Sequence, residues 1–165
     1  MVSESLDFGC GKLRYCERTE ALTIVDSEIQ LSRTQLLNGA KSNIREVISY
    51  SNRIRAYNDI EFQKSEEECD RAFCINVLSV IPLIGRRRCV VETIRARLRP
   101  RGECLYVVPN ARPWRDGFLI DSLRGFSFYG LISPDGLISL LQHSGYSISD
   151  VRRDDGSVYV WAGRA

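Results

Sequence analysis

The segment RAFCINVLSVIP, residues 71–82, is apolar almost throughout and rich in branched side chains. A strand with one wetted face alternates apolar and polar residues, so an unbroken run describes a strand buried on both faces. Such a strand requires helices above and below its sheet. Strand-like segments also stand at 4–8, at 22–26, within 54–62 and at ECLYVVPN, 103–110. Between them, residues 28–38 fit a helix with Ile29, Leu36 and Leu37 inward that ends near Asn38-Gly39. SNIREVISYS, 42–51, sets Ile44, Val47 and Ile48 at helical spacing. IGRRRCVVETIRARL, 84–98, sets Cys89, Val90, Ile94 and Leu98 on one side, with Pro100 and Gly102 closing it. Ser133-Pro134 opens a further helix through His143, ended by Gly145. YSISDV and SVYVWAG flank Asp155-Gly156, a hairpin signal. Strands alternating with helices, then a hairpin, predict an α/β fold whose sheet is mostly parallel with one antiparallel strand.

The 165 residues suit one domain, 1–165, and 44% hydrophobic residues can fill its core. No apolar stretch reaches the roughly 18 residues of a membrane span. The start, MVSESLDFG, lacks the pattern of a signal peptide, so a cytoplasmic protein is expected. The cysteines are Cys10, Cys16, Cys69, Cys74, Cys89 and Cys104, with no C-x-x-C pair, and the sole histidine is His143. That spacing predicts no metal site, and several of these cysteines fall in strand patterns as reduced, buried thiols do. A net charge of +2 does not by itself argue for nucleic acid. The basic runs at 85–88 and 95–101 read as a solvated helix face, with a phosphate-binding patch as the alternative.

LDFGCGKLRY, residues 6–15, is a strand feeding a glycine loop. The dinucleotide fingerprint G-x-G-x-x-G fails here, because Arg14 stands at the third glycine. Asp7, just before the loop, would repel a pyrophosphate but accept bonds from a cationic or hydroxyl-bearing ligand. Asp26 ends the next strand, and neighbouring parallel strands share one crevice at their carboxyl ends. It is therefore set to bond the two hydroxyls of a ribose. Asp59, at the end of the third strand, is set to take an adenine amino group, with Ile60 packing on the ring. This set suits S-adenosylmethionine.

The successive segments LDFGCGKLRY, IVDSE, YNDIEF, CINVLSVIP and LRPRGECLYVV resemble, in order, the motifs of class I S-adenosylmethionine-dependent methyltransferases. SPDGLISLLQHSGYSISDV is similar to that family's penultimate helix and strand. The resemblance implies a Rossmann-like, doubly wound, seven-stranded sheet with an antiparallel C-terminal strand. It also implies a cofactor site of Asp7, Gly9, Cys10 and Gly11 around the methionine part, Asp26 and Ser27 at the ribose, Asp59 and Ile60 at adenine, and Asn76 along the methionine edge. Three departures stand out. Leu13 replaces a glycine, so its side chain either crowds the cofactor or marks a helix that begins differently. The stretch from Gly11 to Asp26 is short, leaving room for only a short helix. The first strand begins almost at the N-terminus, as in a short form without the helices that usually precede it.

Methyl transfer needs a nucleophile held in line with the sulfonium, so a general base is optional and no catalytic residue is singled out. NVLSVIP is not the N/D-P-P-Y/F of exocyclic amine methylation of DNA, and no Pro-Cys pair marks C5 chemistry. The acceptor-side candidate is 111–130, where Trp114, Phe126, Phe128 and Tyr129 are suited to stack on a flat substrate and Arg112, Arg115 and Arg124 to meet phosphate or carboxylate. Alternatively these aromatics seal the sheet edge. His143 reads as a surface residue. The expected activity is methyl transfer to an unidentified acceptor, small molecule or nucleic acid. The alternatives are a degenerate, non-catalytic binding or scaffold subunit, and a nucleic-acid module using the basic runs. A homodimer or partner subunit is expected to cover the apolar sheet.

Overall fold

The computed structural model describes residues 4–13, 21–37, 39–110, 117–121, 125–129 and 132–164, with 117–121 and 125–129 described by backbone alone. Five parallel strands form the body of one sheet: β1 (Glu4–Phe8), β2 (Ala21–Asp26), β5 (Ile54–Asn58), β6 (Cys69–Ile75) and β7 (Leu98–Pro109). The C-terminal hairpin adds β10 (Tyr146–Arg153) and β11 (Ser157–Arg164), giving the order β10-β11-β7-β6-β1-β2-β5. β11 runs antiparallel to both of its neighbours, so one reversed strand closes an otherwise parallel sheet. The Asp154 carboxylate accepts from the backbone N–H of Gly156 and of Ser157, which makes the tight turn that Asp155-Gly156 predicts. This is the seven-stranded, doubly wound arrangement expected from the sequence.

The helices cover the two faces. α3 (Asp59–Lys64), α4 (Ile84–Arg97) and α5 (Pro134–His143) bury Phe62, Val91, Ile94, Leu137 and Leu141 against Leu6, Val25 and Tyr106. On the other face α1 (Glu28–Ser32) and α2 (Ile44–Ser49) bury Leu31 and Ile44 against Leu22 and Ile24. β2 is thus dry on both faces: Ile24 and Val25 point opposite ways and both are 0% exposed. Among the described residues no helix is long and apolar enough to cross a membrane.

Several sequence expectations are corrected. The strand expected over 71–82 ends at Ile75. Asn76 turns the chain with φ 59, donates its N–H to Val107 O and accepts from the Ser79 hydroxyl, and the apolar run continues as a 3₁₀ turn, Leu78–Val80. Asparagine tolerates that left-handed backbone, and it breaks the ladder. The helix expected over 28–38 stops at Ser32, and β3 (Gln35–Leu37) pairs with β4 (Ala40–Ser42). Leu37 pairs with Ala40, so Gly39, at φ 84, lies in a hairpin connection where the sequence suggested a helix stop. Leu37 is buried, but Ile29 and Leu36 are exposed. Cys89 is exposed, because the buried stripe of α4 runs through Arg87, Val91 and Ile94. That helix ends at Arg97, and β7 begins at once and passes through Pro100.

The basic runs are largely spent inside the fold. Arg87 donates to Ile81 O at 2.7 Å, Arg95 to Gly145 O at 2.8 Å, and Arg97 to Phe62 O and Gln63 O at 3.2 and 3.0 Å. Arg99 pairs with Glu4 at 2.6 Å and with Glu68 and Asp70. They brace loops and helix ends more than they form a free solvated face. Cys16, residues 14–20 of the stretch expected to hold only a short helix, and the side chains of Arg112, Trp114, Arg115, Arg124, Phe126, Phe128 and Tyr129 lie outside the described residues. The backbone of β8 (Gly117–Asp121) and β9 (Gly125–Tyr129) forms a hairpin, with β9 beside the Leu78–Val80 turn.

Candidate functional site

The carboxyl ends of β1, β2, β5 and β6 surround one crevice, as the strand order requires. β1 leaves the sheet through Gly9, at φ 82, whose N–H donates to Val25 O at 2.7 Å. A Cβ on Gly9 would stand 2.2 Å from Cγ2 of Val77, so only glycine lets the loop after β6 close against the loop after β1. Asp26, the last residue of β2, ties the loop down. Its Oδ2 accepts from Gly11 N at 3.0 Å and from the Cys10 thiol at 3.8 Å, and its Oδ1 accepts from Ser27 N at 2.8 Å. Gln30 holds the other side of Gly11, donating from Nε2 to its carbonyl at 2.6 Å.

Gln30 escaped the sequence reading, though a signal was there. Ser27-Glu28-Ile29-Gln30 has the form of a capping box. Ser27 does cap α1, its hydroxyl accepting from Gln30 N at 3.2 Å, but the Gln30 side chain reaches across to the glycine loop. Leu13 takes up φ 57, a backbone suited to glycine, yet it is buried among Leu22, Ile24 and Leu31 beneath α1. It lines neither cavity described below, so of the two alternatives at this position the structure does not favour crowding.

Asp7 is 2% exposed and, among the described residues, nothing hydrogen-bonds to its carboxylate. Burial first, and the neighbouring Asp26 charge second, raise its pKa from 3.8 to about 7. Asp7 opens into a cavity of about 240 Å3, together with Gly9, Cys10, Gly11, Ile75 and Asn76. The Cys10 thiol is pushed well up by the same burial and by both carboxylates, so it is neutral.

A second cavity, of about 400 Å3, adjoins the first at Gly9. Phe8, Val25, Val77 and Ile81 give it an apolar lining, and Asp26, Ser27 and side chains of α3 and α4 complete it. Asp59 lines it from the first turn of α3, which Asn58 caps reciprocally with Glu61. Glu28 joins the starts of α1, α2 and α3, accepting from Arg45, Ser32 and Asn58, and these bonds lower its pKa to about 2. Of the nine cofactor-site residues expected from sequence, eight line one cavity or the other. Ile60 is 61% exposed and lines neither.

A wider depression, about 690 Å3, lies at the opposite ends of the strands. There Arg55 pairs with Glu4 and Glu67, and Arg99 with Glu4 and Glu68, so its charges serve one another. Ligands of open α/β sheets enter at the carboxyl ends, which favours the smaller pair of cavities as the functional crevice.

No protein-family model matches the chain. The uncharacterized protein YmfD of Escherichia coli (strain K12) is 30% identical over 176 residues, covering 96% of this chain and 79% of YmfD. Among solved structures, a S-adenosylmethionine-dependent methyltransferase of Methanosarcina mazei superposes with TM-score 0.70 at 14% identity, over 99% of this chain and 92% of that one. The 1,6-didemethyltoxoflavin-N1-methyltransferase of Burkholderia thailandensis, solved with S-adenosylhomocysteine, gives TM-score 0.69 at 17% identity over 99% and 71%. The glycopeptide N-methyltransferase MtfA gives TM-score 0.69 at 12% identity over 100% and 84%. At such identities the likeness concerns the fold. The chain belongs to one family with YmfD, and that family is built on the class I S-adenosylmethionine-dependent methyltransferase fold.

Proposed function

We propose that this protein is a methyltransferase that binds S-adenosylmethionine in the paired cavities. The observation that carries the reading is Asp7: a buried carboxylate with no hydrogen bond among the described residues, facing a cavity that joins a larger one. An unpaired buried carboxylate is costly, and a cationic ligand relieves it. The α-amine of a methionine moiety is such a cation, and the smaller cavity suits an amino-acid end. Asp26, already held by Gly11 N and Ser27 N, keeps acceptor capacity for ribose hydroxyls. The larger slot then takes the purine over Val25, Val77 and Ile81, with Asp59 at its amino edge.

The cofactor, when bound, supplies an electrophilic methyl group on a sulfonium. The chain's own part is positioning: the glycine loop clamped by Asp26 and Gln30 fixes one end, and the Asn76–Ile81 loop closes over it. Positioning of that kind supplies a large share of the rate in displacement reactions. An acceptor would enter between Asn76 and the β8–β9 hairpin, which lies beside the Leu78–Val80 turn. Two of the structural neighbours named above are a 1,6-didemethyltoxoflavin-N1-methyltransferase and a glycopeptide N-methyltransferase, and the acceptor here is proposed to be a small molecule or a nucleic acid.

Calorimetric titration with S-adenosylmethionine and with S-adenosylhomocysteine tests the reading. Saturable 1:1 binding is expected, weakened by about 1.5–3 kcal/mol in Asp26→Ala, which loses a charged acceptor. No binding by the folded wild-type protein would defeat it and leave the non-catalytic scaffold reading.

A further inference from the structure

The large apolar side chains that stand in water gather at one end of the molecule. Ile29 follows β2, Ile60 follows β5, and Val80, Leu83 and Ile84 follow β6, so all five lie at the carboxyl ends of parallel strands. Among the described residues the others are Leu36 on β3 and Tyr50 after α2. Three of the five crowd into one short segment: Val80, Leu83 and Ile84 are 47, 64 and 67% exposed, and Pro82 is exposed beside them. An apolar cluster kept in water marks a contact surface.

This tip stands on a fixed base. Leu78 and Ser79 beneath it are each 1% exposed, the Ser79 hydroxyl donates to Asn76 O at 3.1 Å, and the buried Arg87 donates to Ile81 O at 2.7 Å. The flanking arginines face water instead. Arg86 and Arg88 are exposed, and among the described residues neither guanidinium is paired. Arg86 follows Leu83 by three positions and Arg88 follows Ile84 by four, so each cation stands one turn from an aliphatic side chain on the same side of α4. Two of the acidic residues at this end, Glu28 and Glu61, are answered by Arg45.

We propose that segment 80–88 docks the protein peripherally on a membrane surface rich in anionic lipids. Val80, Leu83 and Ile84 enter the acyl boundary, and Arg86 and Arg88 meet the lipid phosphates. Aliphatic side chains beside unpaired cations are the pair of signals by which a peripheral protein holds a charged bilayer. A protein partner fits less well: interface anchors are mostly aromatic, and a stable interface draws on about 20–30 residues a side, against one short segment here. Val80, Leu83, Ile84 and Arg88 line neither cavity of the crevice, so the inference stands apart from the cofactor reading. Ile81, within the same segment, lines the larger cavity, so docking sets the crevice beside the headgroups.

The test is co-sedimentation of the full chain with vesicles of phosphatidylcholine alone or with about one third phosphatidylglycerol. Circular dichroism checks the fold of each variant, and sedimentation equilibrium without lipid gives its oligomeric state. Wild type should bind the anionic vesicles, hold the neutral ones far more weakly, and be released by salt of about 0.5 M. Leu83→Ser combined with Ile84→Ser should weaken binding about tenfold or more. Arg88→Gln should weaken it about fivefold, and only on anionic vesicles. Tyr50→Ser, which removes an exposed apolar side chain away from the tip, should bind as wild type does. Absence of wild-type binding to anionic vesicles overturns the proposal, as does equal binding by the folded Leu83/Ile84 double variant. A wild-type dimer that the double variant turns into a monomer also overturns it, because the tip would then be an interface between two copies of the chain.

Discussion

Asp7 carries the electrostatics of the site in one side chain. Lys12 and Asn76 line its cavity, Cys10 and Cys74 are neutral beside it, and Asp26 is the charge that adds to its burial. Its folded pKa, about 7, lies above its ordinary 3.8, so the folded state holds the proton more tightly than the unfolded chain. That contribution to stability is complete below pH 3.8 and is lost as pH rises through 7. Asp7→Asn should therefore gain stability over wild type as pH increases across this window, reaching on the order of 2–4 kcal/mol above it, as denaturant melts at several pH values would show. Cofactor binding should respond in the opposite sense. A cationic amine needs the ionised carboxylate, so wild-type affinity should rise from pH 5.5 to about 7 and then level, while Asp7→Asn binds weakly and without that slope. A flat wild-type profile would remove Asp7 from the ligand contact. Leu13 makes the converse case, a left-handed backbone kept for the sake of a buried side chain. Leu13→Gly should relieve about 1–2 kcal/mol of backbone strain but lose more through the cavity left behind. A net loss of about 1–3 kcal/mol in urea unfolding is expected, with no tightening of cofactor binding.

At the scale of elements, short helices do more than cover the sheet. α1 has five residues, too few to be stable alone, and holds its place through Leu31 in the core, the Ser27 cap and the reach of Gln30 to Gly11. The glycine loop is thus built jointly by β1, β2 and α1. Gln30→Ala should cost about 1 kcal/mol of stability and weaken cofactor binding several-fold, since it frees the Gly11 carbonyl. Equal affinity in the variant would show that Asp26 holds the loop unaided. α3 and α4 form the second such unit, joined by Arg97 at the far end of the slot. The β3–β4 hairpin, three residues a strand and with Leu36 exposed, stands apart from the sheet and is secured mainly by Leu37.

Across the whole molecule, two polar systems stand at opposite ends of the parallel strands. At the amino ends, Glu4, Arg55, Glu67 and Arg99 form a paired lattice that also takes the Tyr57 hydroxyl, on Glu67 at 2.8 Å. At the carboxyl ends, the carboxylates of Asp7 and Asp59 are left without cationic partners among the described residues. Between the two lie the central strands, in which Leu6, Leu22, Ile24, Val25, Tyr106 and Val108 are 0–2% exposed. Native-state hydrogen exchange should therefore be slowest in β1, β2 and β7 and fastest in β3–β4 and the first turn of α4, which no side chain caps. Slow exchange in β3–β4 would mean that this hairpin packs more tightly than its exposure indicates.

The order of the seven strands of the main sheet, the glycine loop, the three aspartates near the strand ends and the closing hairpin were legible in the amino-acid sequence. Each is a local matter: period of burial, turn chemistry, or a charged residue at the end of an apolar run. The tertiary structure alone decided where such local signals conflict or are silent. Asn38-Gly39 serves equally as a helix stop or a hairpin turn, and only burial of Leu37 beside Ile44 selected the hairpin. The apolar run at 71–82 continues past its strand because Asn76 finds a carbonyl on β7, a partner about thirty residues away. The clamps on the site, Gln30 to Gly11 and Arg97 to Phe62 and Gln63, join residues 19, 35 and 34 positions apart. No periodicity encodes such pairs, because they depend on which strands lie side by side, and that order is settled only when apolar surface from the whole chain is buried together.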